Sequence, residues 1–293
     1  MWRDRRIFLK GVAAAATLNP WSAAAMRAPR VVSLDYAAAA TLIELGIAPV
    51  GLASADRWGR WVVEPPLPSG VVNIGQDLAV NLEVIASLKP DLILTTPYTD
   101  ALRPRLETIA PVHEVSIYND TGTPLKNSIA ETRRMGSLLG RDEEAERFLR
   151  SASAAFDAAR ARVSALDPHP LAMINFMDQR HARVYGRHSL YQDVLDRIGL
   201  ENAWQRPTNH WGFATIGLEE LAREAPPAMD LLVFEPLIED IRPTLASSPL
   251  WRQMPVVREG RFVVLPPVLM FGMVPAALRF TRLVIQYLEA PSD

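Results

Sequence analysis

The sequence predicts an α/β protein of two mostly parallel-sheet lobes joined by one long helix, and three observations lead there. Short apolar strands alternate with short helical patterns through both halves of the chain, the pattern of a parallel sheet covered by helices on both faces. One phrase occurs twice, as Asn81-Leu82-Glu83 … Lys89-Pro90-Asp91-Leu92-Ile93-Leu94 and as Gly217-Leu218-Glu219 … Met229-Asp230-Leu231-Leu232-Val233. Each copy runs from a small residue through Leu-Glu and a short helix to a proline, then into an Asp-Leu-hydrophobic strand; one structural unit is repeated, once per lobe. Between the copies lies Arg141–Leu166. There Ala145, Phe148, Leu149, Ala152, Ala155, Phe156, Ala159, Val163 and Leu166 recur at three- and four-residue steps, giving a helix with one apolar stripe.

In chain order, Arg5-Arg6-Ile7-Phe8-Leu9-Lys10 has the form of a twin-arginine export signal. The apolar run Gly11 to Leu18 and the Ala23-Ala24-Ala25 cleavage site complete it. Residues 1–25 are therefore set apart as a signal peptide. No lipid-accepting cysteine follows, and no other apolar run approaches the ~20 residues of a membrane span, so a soluble periplasmic product is expected.

In the first lobe (residues 26–140), Arg30–Leu34 reads as a strand, Ala37–Leu45 as a helix and Pro49–Ala53 as a strand. The proline-rich Glu64–Pro68 leads to a strand at Val71–Ile74. A capped helix from Val80 feeds the strand Asp91–Leu94, Ala101–Ile109 is helical, and His113–Tyr118 is a strand. The linking helix (residues 141–166) follows, with Asp142, Glu143 and Glu144 at its dipole-positive start and Arg160 and Arg162 near its end. Asp167-Pro168 stops it, and about 25 residues at ~1.5 Å each make a rod of nearly 40 Å. In the second lobe (residues 167–293), Leu171–Phe176, Ala182–Tyr185 and Arg261–Leu265 read as strands, Leu190–Ile198 and Val274–Leu288 as helices.

Composition excludes several function classes. The 293 residues have room for two medium domains, and 49% hydrophobic against 22% charged residues belongs to a globular protein. With no cysteine, disulfides, thiolate metal sites, iron–sulfur clusters and c-type haem attachment are excluded. Removing residues 1–25 leaves 27 basic and 32 acidic residues, net charge −5, a surface unsuited to nucleic acid. A periplasmic enzyme exported by the twin-arginine route is an alternative class, but there is no G-x-G-x-x-G, no P-loop, and Gly186-Arg187-His188-Ser189-Leu190 is not a nucleophile elbow. The five histidines form no H-x₃-H pair, and no residue pair suggests catalysis; the expectation is a binding protein, not an enzyme.

Several phrases carry a resemblance: Leu45-Gly46-Ile47-Ala48-Pro49-Val50-Gly51, Trp61-Val62-Val63-Glu64-Pro65-Pro66-Leu67-Pro68, Gly199-Leu200-Glu201-Asn202-Ala203-Trp204-Gln205, Asn209-His210-Trp211-Gly212 and Pro249-Leu250-Trp251-Arg252-Gln253-Met254-Pro255. The chain resembles the periplasmic ferric hydroxamate (ferrichrome-type) siderophore-binding proteins of ABC importers, in the class III periplasmic binding protein-like group with a single long interdomain helix. The resemblance implies capture of an iron(III)–siderophore in the interlobe cleft and delivery to an inner-membrane ABC permease. It implies a monomer without a resident cofactor, because the ligand carries its own Fe³⁺: six hydroxamate oxygens saturate the iron, and the protein need add no metal ligand. Aromatic walls and one or two donors suffice. Trp61, Trp204 and Trp211 match ligand-contacting tryptophans, Tyr98 falls beside a hydroxamate-contacting tyrosine, and Leu269, Met270 and Phe271 match a second-lobe ligand-contacting stretch. Phe213 stands where a serine is expected, Leu269 where a tryptophan is, and Phe271 where a tyrosine is. No arginine occupies the hydroxamate-binding position near Gln76-Asp77; Arg57 or Arg60 is an alternative. Glu83 and Glu219 match the carboxylates that dock on the permease. A cobalamin or haem binder of the same fold remains the alternative ligand class.

Overall fold

The computed structural model describes residues 27–290 except 77, 120, 121, 225 and 227. The twin-arginine segment and its cleavage site lie outside the described residues, as does Asp77. Five strands form the first sheet: β1 (Val31–Ser33), β2 (Gly51–Leu52), β3 (Val72–Asn73), β4 (Leu92–Thr95) and β5 (Val112–Glu114). Their order is β3-β2-β1-β4-β5, and every neighbouring pair is parallel. The second sheet holds β6 (Leu171–Phe176), β7 (His181–Tyr185), β8 (Phe213–Gly217), β9 (Asp230–Phe234) and β10 (Phe262–Leu265) in the order β8-β7-β6-β9-β10. This sheet is mixed: β7 runs antiparallel to β6 and β8, the other pairs are parallel. The reason is local. Residues 177–180 are too few for a crossover, so the chain can only turn back on itself, and Asp178 Oδ1 closes that turn on the backbone N–H groups of Arg180 (2.7 Å) and His181 (2.8 Å).

Numbered along the chain, both sheets have the same order, third-second-first-fourth-fifth. The repeated phrase occupies the same place in each: its Leu-Glu opens the helix Leu82–Ser87 before β4 and the helix Leu218–Glu224 before β9. The internal repeat of the sequence is thus a repeat of topology.

Five helices matter for the site. α1 (Tyr36–Glu44) is N-capped by Asp35, α2 spans Pro124–Leu139, α3 Asp142–Val163, α4 Leu190–Ile198 and α5 Val274–Leu288. Sequence periodicity passes over α2, because its buried face mixes Leu125, Met135 and Leu139 with Ser128 and Thr132. Those hydroxyls are buried at little cost because they donate one turn back, Ser128 to Pro124 O (2.6 Å) and Thr132 to Ser128 O (2.8 Å). Pro124 in the first turn and Gly140, left-handed at φ 63°, bracket the helix.

The linking helix α3 has 22 residues, shorter than the expected span, since residues 164–166 tighten into a turn in which Leu166 N donates to Val163 O at 2.9 Å. Ala145, near its start, packs with Met135 and Leu139 in the first lobe's core. Leu149, Ala152, Phe156, Ala159 and Val163 belong to the second lobe's core with Phe280 and Val284 of α5; one helix is keyed into both lobes. The segment entering α5 does the same from the other direction. Met273 is buried in the first lobe's core and its sulfur accepts from the Thr41 hydroxyl at 3.5 Å. Arg279, 5% exposed, donates to Glu64 Oε1 (2.6 Å) and to Pro267 O (2.8 Å), and Arg282 also pairs with Glu64.

A further tie across the lobes is Asp193 on α4, whose Oδ2 accepts from Leu125 N at 2.8 Å. Burial pushes its carboxyl up to about 6, against the lowering effect of that hydrogen bond. A carboxyl with a folded pKa above its unfolded value of ~3.9 binds more protons in the native state between those two pH values. Its contribution to stability therefore falls as pH rises through about 4 to 6. Asp193→Asn keeps an acceptor for Leu125 and should raise stability at pH 7 by about 1–2 kcal/mol, allowing for partial exposure. Urea midpoints of both proteins should differ at pH 7 and converge towards pH 4.5; an equal gap at both would contradict this.

Candidate functional site

The carboxyl ends of parallel strands point their loops to one edge of a sheet, and ligands of open α/β sheets bind there. The first lobe follows this rule. Leu34–Ala37 after β1, Ala53 and Ser54 after β2, Thr96–Thr99 after β4 and Val115–Tyr118 after β5 form one wall of a cleft of about 480 Å³. Trp211, Phe213, Phe271 and Met273 from the second lobe form the other.

At the cleft floor the two walls touch. Tyr118 is buried, 9% exposed, which pushes its phenol far above the usual range, and its hydroxyl donates to Met270 O at 2.8 Å. Its ring meets Phe271 edge-on at 5.5 Å and Trp211 at 5.7 Å, and Trp211 meets Phe271 at 5.8 Å. Two of these contacts are edge-to-face and the Tyr118–Trp211 pair is tilted, geometries that favour one arrangement of the three rings. Tyr36 is held by its hydroxyl donating to Ser54 O (2.7 Å) and by Trp58 edge-on at 5.8 Å.

Trp211 is presented by a turn built on Asn209. Asn209 Oδ1 accepts from Trp211 N (2.9 Å) and Phe213 N (3.2 Å), and Gly212 N donates to Asn209 O (2.9 Å). Gly212 is left-handed (φ 78°), and a Cβ there would lie 2.2 Å from Ser189 N, so only glycine fits. The Arg183 guanidinium carbon lies 4.6 Å from the Phe213 ring centre, within cation–π range.

Of the residues singled out in the sequence, the structure brings Tyr98, Trp211, Phe213 and Phe271 into this cleft. It places four elsewhere. Trp204 is 3% exposed in the second lobe's core, because residues 201–203 join β6 as a short bridge and Asn202 Oδ1 accepts from Trp204 N at 2.8 Å. Trp61 stands 38% exposed with Arg60 5.5 Å from its ring, on a helical turn (Trp58–Trp61) that sequence patterning reads as loop. Leu269 packs against the cores of both lobes, and Met270 turns its side chain into the second core and offers its carbonyl to Tyr118. Arg57 reaches Gln76 at 3.4 Å, and neither Arg57 nor Arg60 is among the described lining residues. The cleft adds Asp35, Tyr36 and Tyr118, which sequence reading missed; their position just past strand ends was the available signal.

Glu83 and Glu219 are each the second residue of the repeated helix, and both are exposed. A crossover helix runs back along its sheet, so its first turn sits at the strands' carboxyl edge. Both glutamates thus lie at the carboxyl edge of their own sheet, one in each lobe.

A family model described as "Periplasmic binding protein" matches residues 31–269. The chain is 32% identical over 265 residues to the iron(3+)-hydroxamate-binding protein FhuD of Escherichia coli (strain K12), covering 90% of this chain and 88% of that one. It is 26% identical to the achromobactin-binding periplasmic protein of Dickeya dadantii (strain 3937), covering 79% and 76%. The structure superposes on the Fe³⁺–Desferal-bound siderophore-binding protein FhuD of Vibrio cholerae with a TM-score of 0.83 at 29% identity, covering 90% of this chain and 98% of that one.

Proposed function

The chain belongs to the periplasmic binding protein family, and from that premise we propose that it captures a ferric hydroxamate siderophore in the interlobe cleft and delivers it to an ABC permease. The observation that carries this reading is the cleft itself. Its described lining offers aromatic faces and hydroxyls and one carboxylate; that carboxylate caps α1, and the Tyr36 and Tyr118 phenols donate to backbone carbonyls, an arrangement suited to iron that arrives with its own ligand sphere. The rings of Tyr118, Trp211 and Phe271 give an organic iron complex its apolar contact, and Tyr98, 68% exposed at the mouth, is the phenol free to turn towards a hydroxamate oxygen. The relatives named for iron(3+)-hydroxamate and for Desferal binding support the same ligand class.

The export route and docking belong to the same reading. The twin-arginine segment directs the chain through the twin-arginine translocase to the periplasm, where it acts as a monomeric binding protein and not as an enzyme. Glu83 and Glu219 meet cationic residues on the two halves of the permease.

Titration of intrinsic tryptophan fluorescence tests the ligand class, since Trp211 lies in the cleft. Ferric hydroxamates should quench saturably, and an uncharged one should do so with affinity nearly independent of salt. Saturable binding of haem or cobalamin in preference to every ferric hydroxamate would overturn the reading.

A further inference from the structure

Among the eighteen described residues lining the cleft, Asp35 alone carries a formal charge. It follows β1 directly and caps α1, its Oδ1 accepting from Ala38 N at 2.8 Å. Burial raises its pKa, while the backbone N–H groups of Ala38, Ala37 and Tyr36 oppose that rise and favour the charged form. Beside it, the Tyr36 hydroxyl is committed to Ser54 O, and Ser33 Oγ to the Asp35 carbonyl. No cation balances this carboxylate from within the described lining. Outside that lining, Arg183 lies 4.6 Å from the Phe213 ring centre, Arg57 reaches Gln76, and Arg60 lies over Trp61.

A charge in an apolar cleft acts over its whole width, because little solvent screens it. An anionic ferric complex would meet repulsion from Asp35 with no arginine among the described lining residues to touch it. A neutral complex would meet neither penalty nor gain. A complex with a pendant ammonium would replace the water lost from the carboxylate with an ion pair, and its entry would leave no buried charge alone. We propose that Asp35 sets the charge class of the cargo: the cleft favours ferric tris-hydroxamates bearing a pendant ammonium, accepts neutral ones, and rejects anionic ferric catecholates. The proposal rests on the ferric hydroxamate reading above and specifies it.

Two probes differing by one charge decide it: ferrioxamine B, whose free terminal amine makes the complex cationic, and its N-acetylated form, which is neutral. Affinities for both, and for an anionic ferric tris-catecholate, are measured by fluorescence titration of the full chain and of Asp35→Asn. Asparagine caps a helix as well as aspartate does, and circular dichroism and the urea midpoint check that the variant folds. The native protein should bind the amine form about five- to tenfold more tightly than the acetylated form. In Asp35→Asn that ratio should fall to about one, and catecholate binding should strengthen relative to both hydroxamates. Equal affinities in the native protein, or a preference that survives in Asp35→Asn, would reduce Asp35 to a helix cap. Failure of the native protein to bind either hydroxamate would remove the function reading itself, and the proposal with it.

Discussion

Charge reversal of both repeated glutamates, Glu83→Arg with Glu219→Arg, should abolish siderophore uptake by cells while the purified protein still folds and binds its ligand. Each side chain is exposed in the first turn of a short helix, where a carboxylate contributes about 0.3–1 kcal/mol through the helix dipole. Asn81 still caps the first of these helices, through hydrogen bonds from Glu83 N and Val84 N at 3.0 Å. The fold therefore loses little. Docking loses much more, since two matched exposed carboxylates, one per lobe, would set orientation and encounter rate with a cationic partner, and arginines there would repel it. Uptake of ⁵⁵Fe-labelled siderophore at equal periplasmic abundance is the measurement. Normal uptake by the double variant would show that these glutamates serve only their helices.

The tryptophans should separate into two kinds of defect. Trp204→Ala should cost about 3–5 kcal/mol of stability, because a large ring leaves a closed core. Trp204 packs with Ala172, Ile174, Val184 and Ile216, and its indole touches the space a Gly186 side chain would need, at 2.9 Å. Trp211, 40% exposed, leaves an open cleft instead. Trp211→Ala should spare the urea midpoint and weaken siderophore binding by about 1–3 kcal/mol, roughly five- to 150-fold. Calorimetric titration is the suitable readout, since the variant loses the cleft fluorophore. A Trp204→Ala protein with native stability and lost binding would reverse the assignment of the two rings.

Trp204 also shows where sequence reading stops. Asn-Ala-Trp-Gln between two predicted elements looks like loop, and a tryptophan in a loop near a family motif looks like a ligand contact. What decides its place is a long-range bond: Ala203 N donates to Leu171 O at 2.9 Å, laying the segment against β6 and turning the ring inward. Local periodicity holds no trace of such pairing. Where burial follows period, the reading is close: Leu171–Phe176, Leu190–Ile198 and Val274–Leu288 have their expected bounds. The helix Pro124–Leu139 escaped because its inner face carries hydroxyls satisfied within the helix. In the cleft, the family motif located Trp211 and Phe271, but Asp35 and Tyr118 became visible only once the strand ends were aligned.

The seam between the lobes has a consequence for the order in which the molecule can be made. Glu64 and Arg279 are 215 positions apart, Thr41 and Met273 232, Tyr118 and Met270 152. Each bond joins a residue to one synthesised 152 or more positions later. The first lobe can fold during synthesis, as leading domains do, but half of its ligand cleft does not yet exist. Until residues 270–282 arrive, the apolar faces of α1 and the strand-end loops stand open to water. A nascent or truncated chain would thus present as a sticky surface what the finished one presents as a binding site, and its exposure to chaperones should end only when α5 docks.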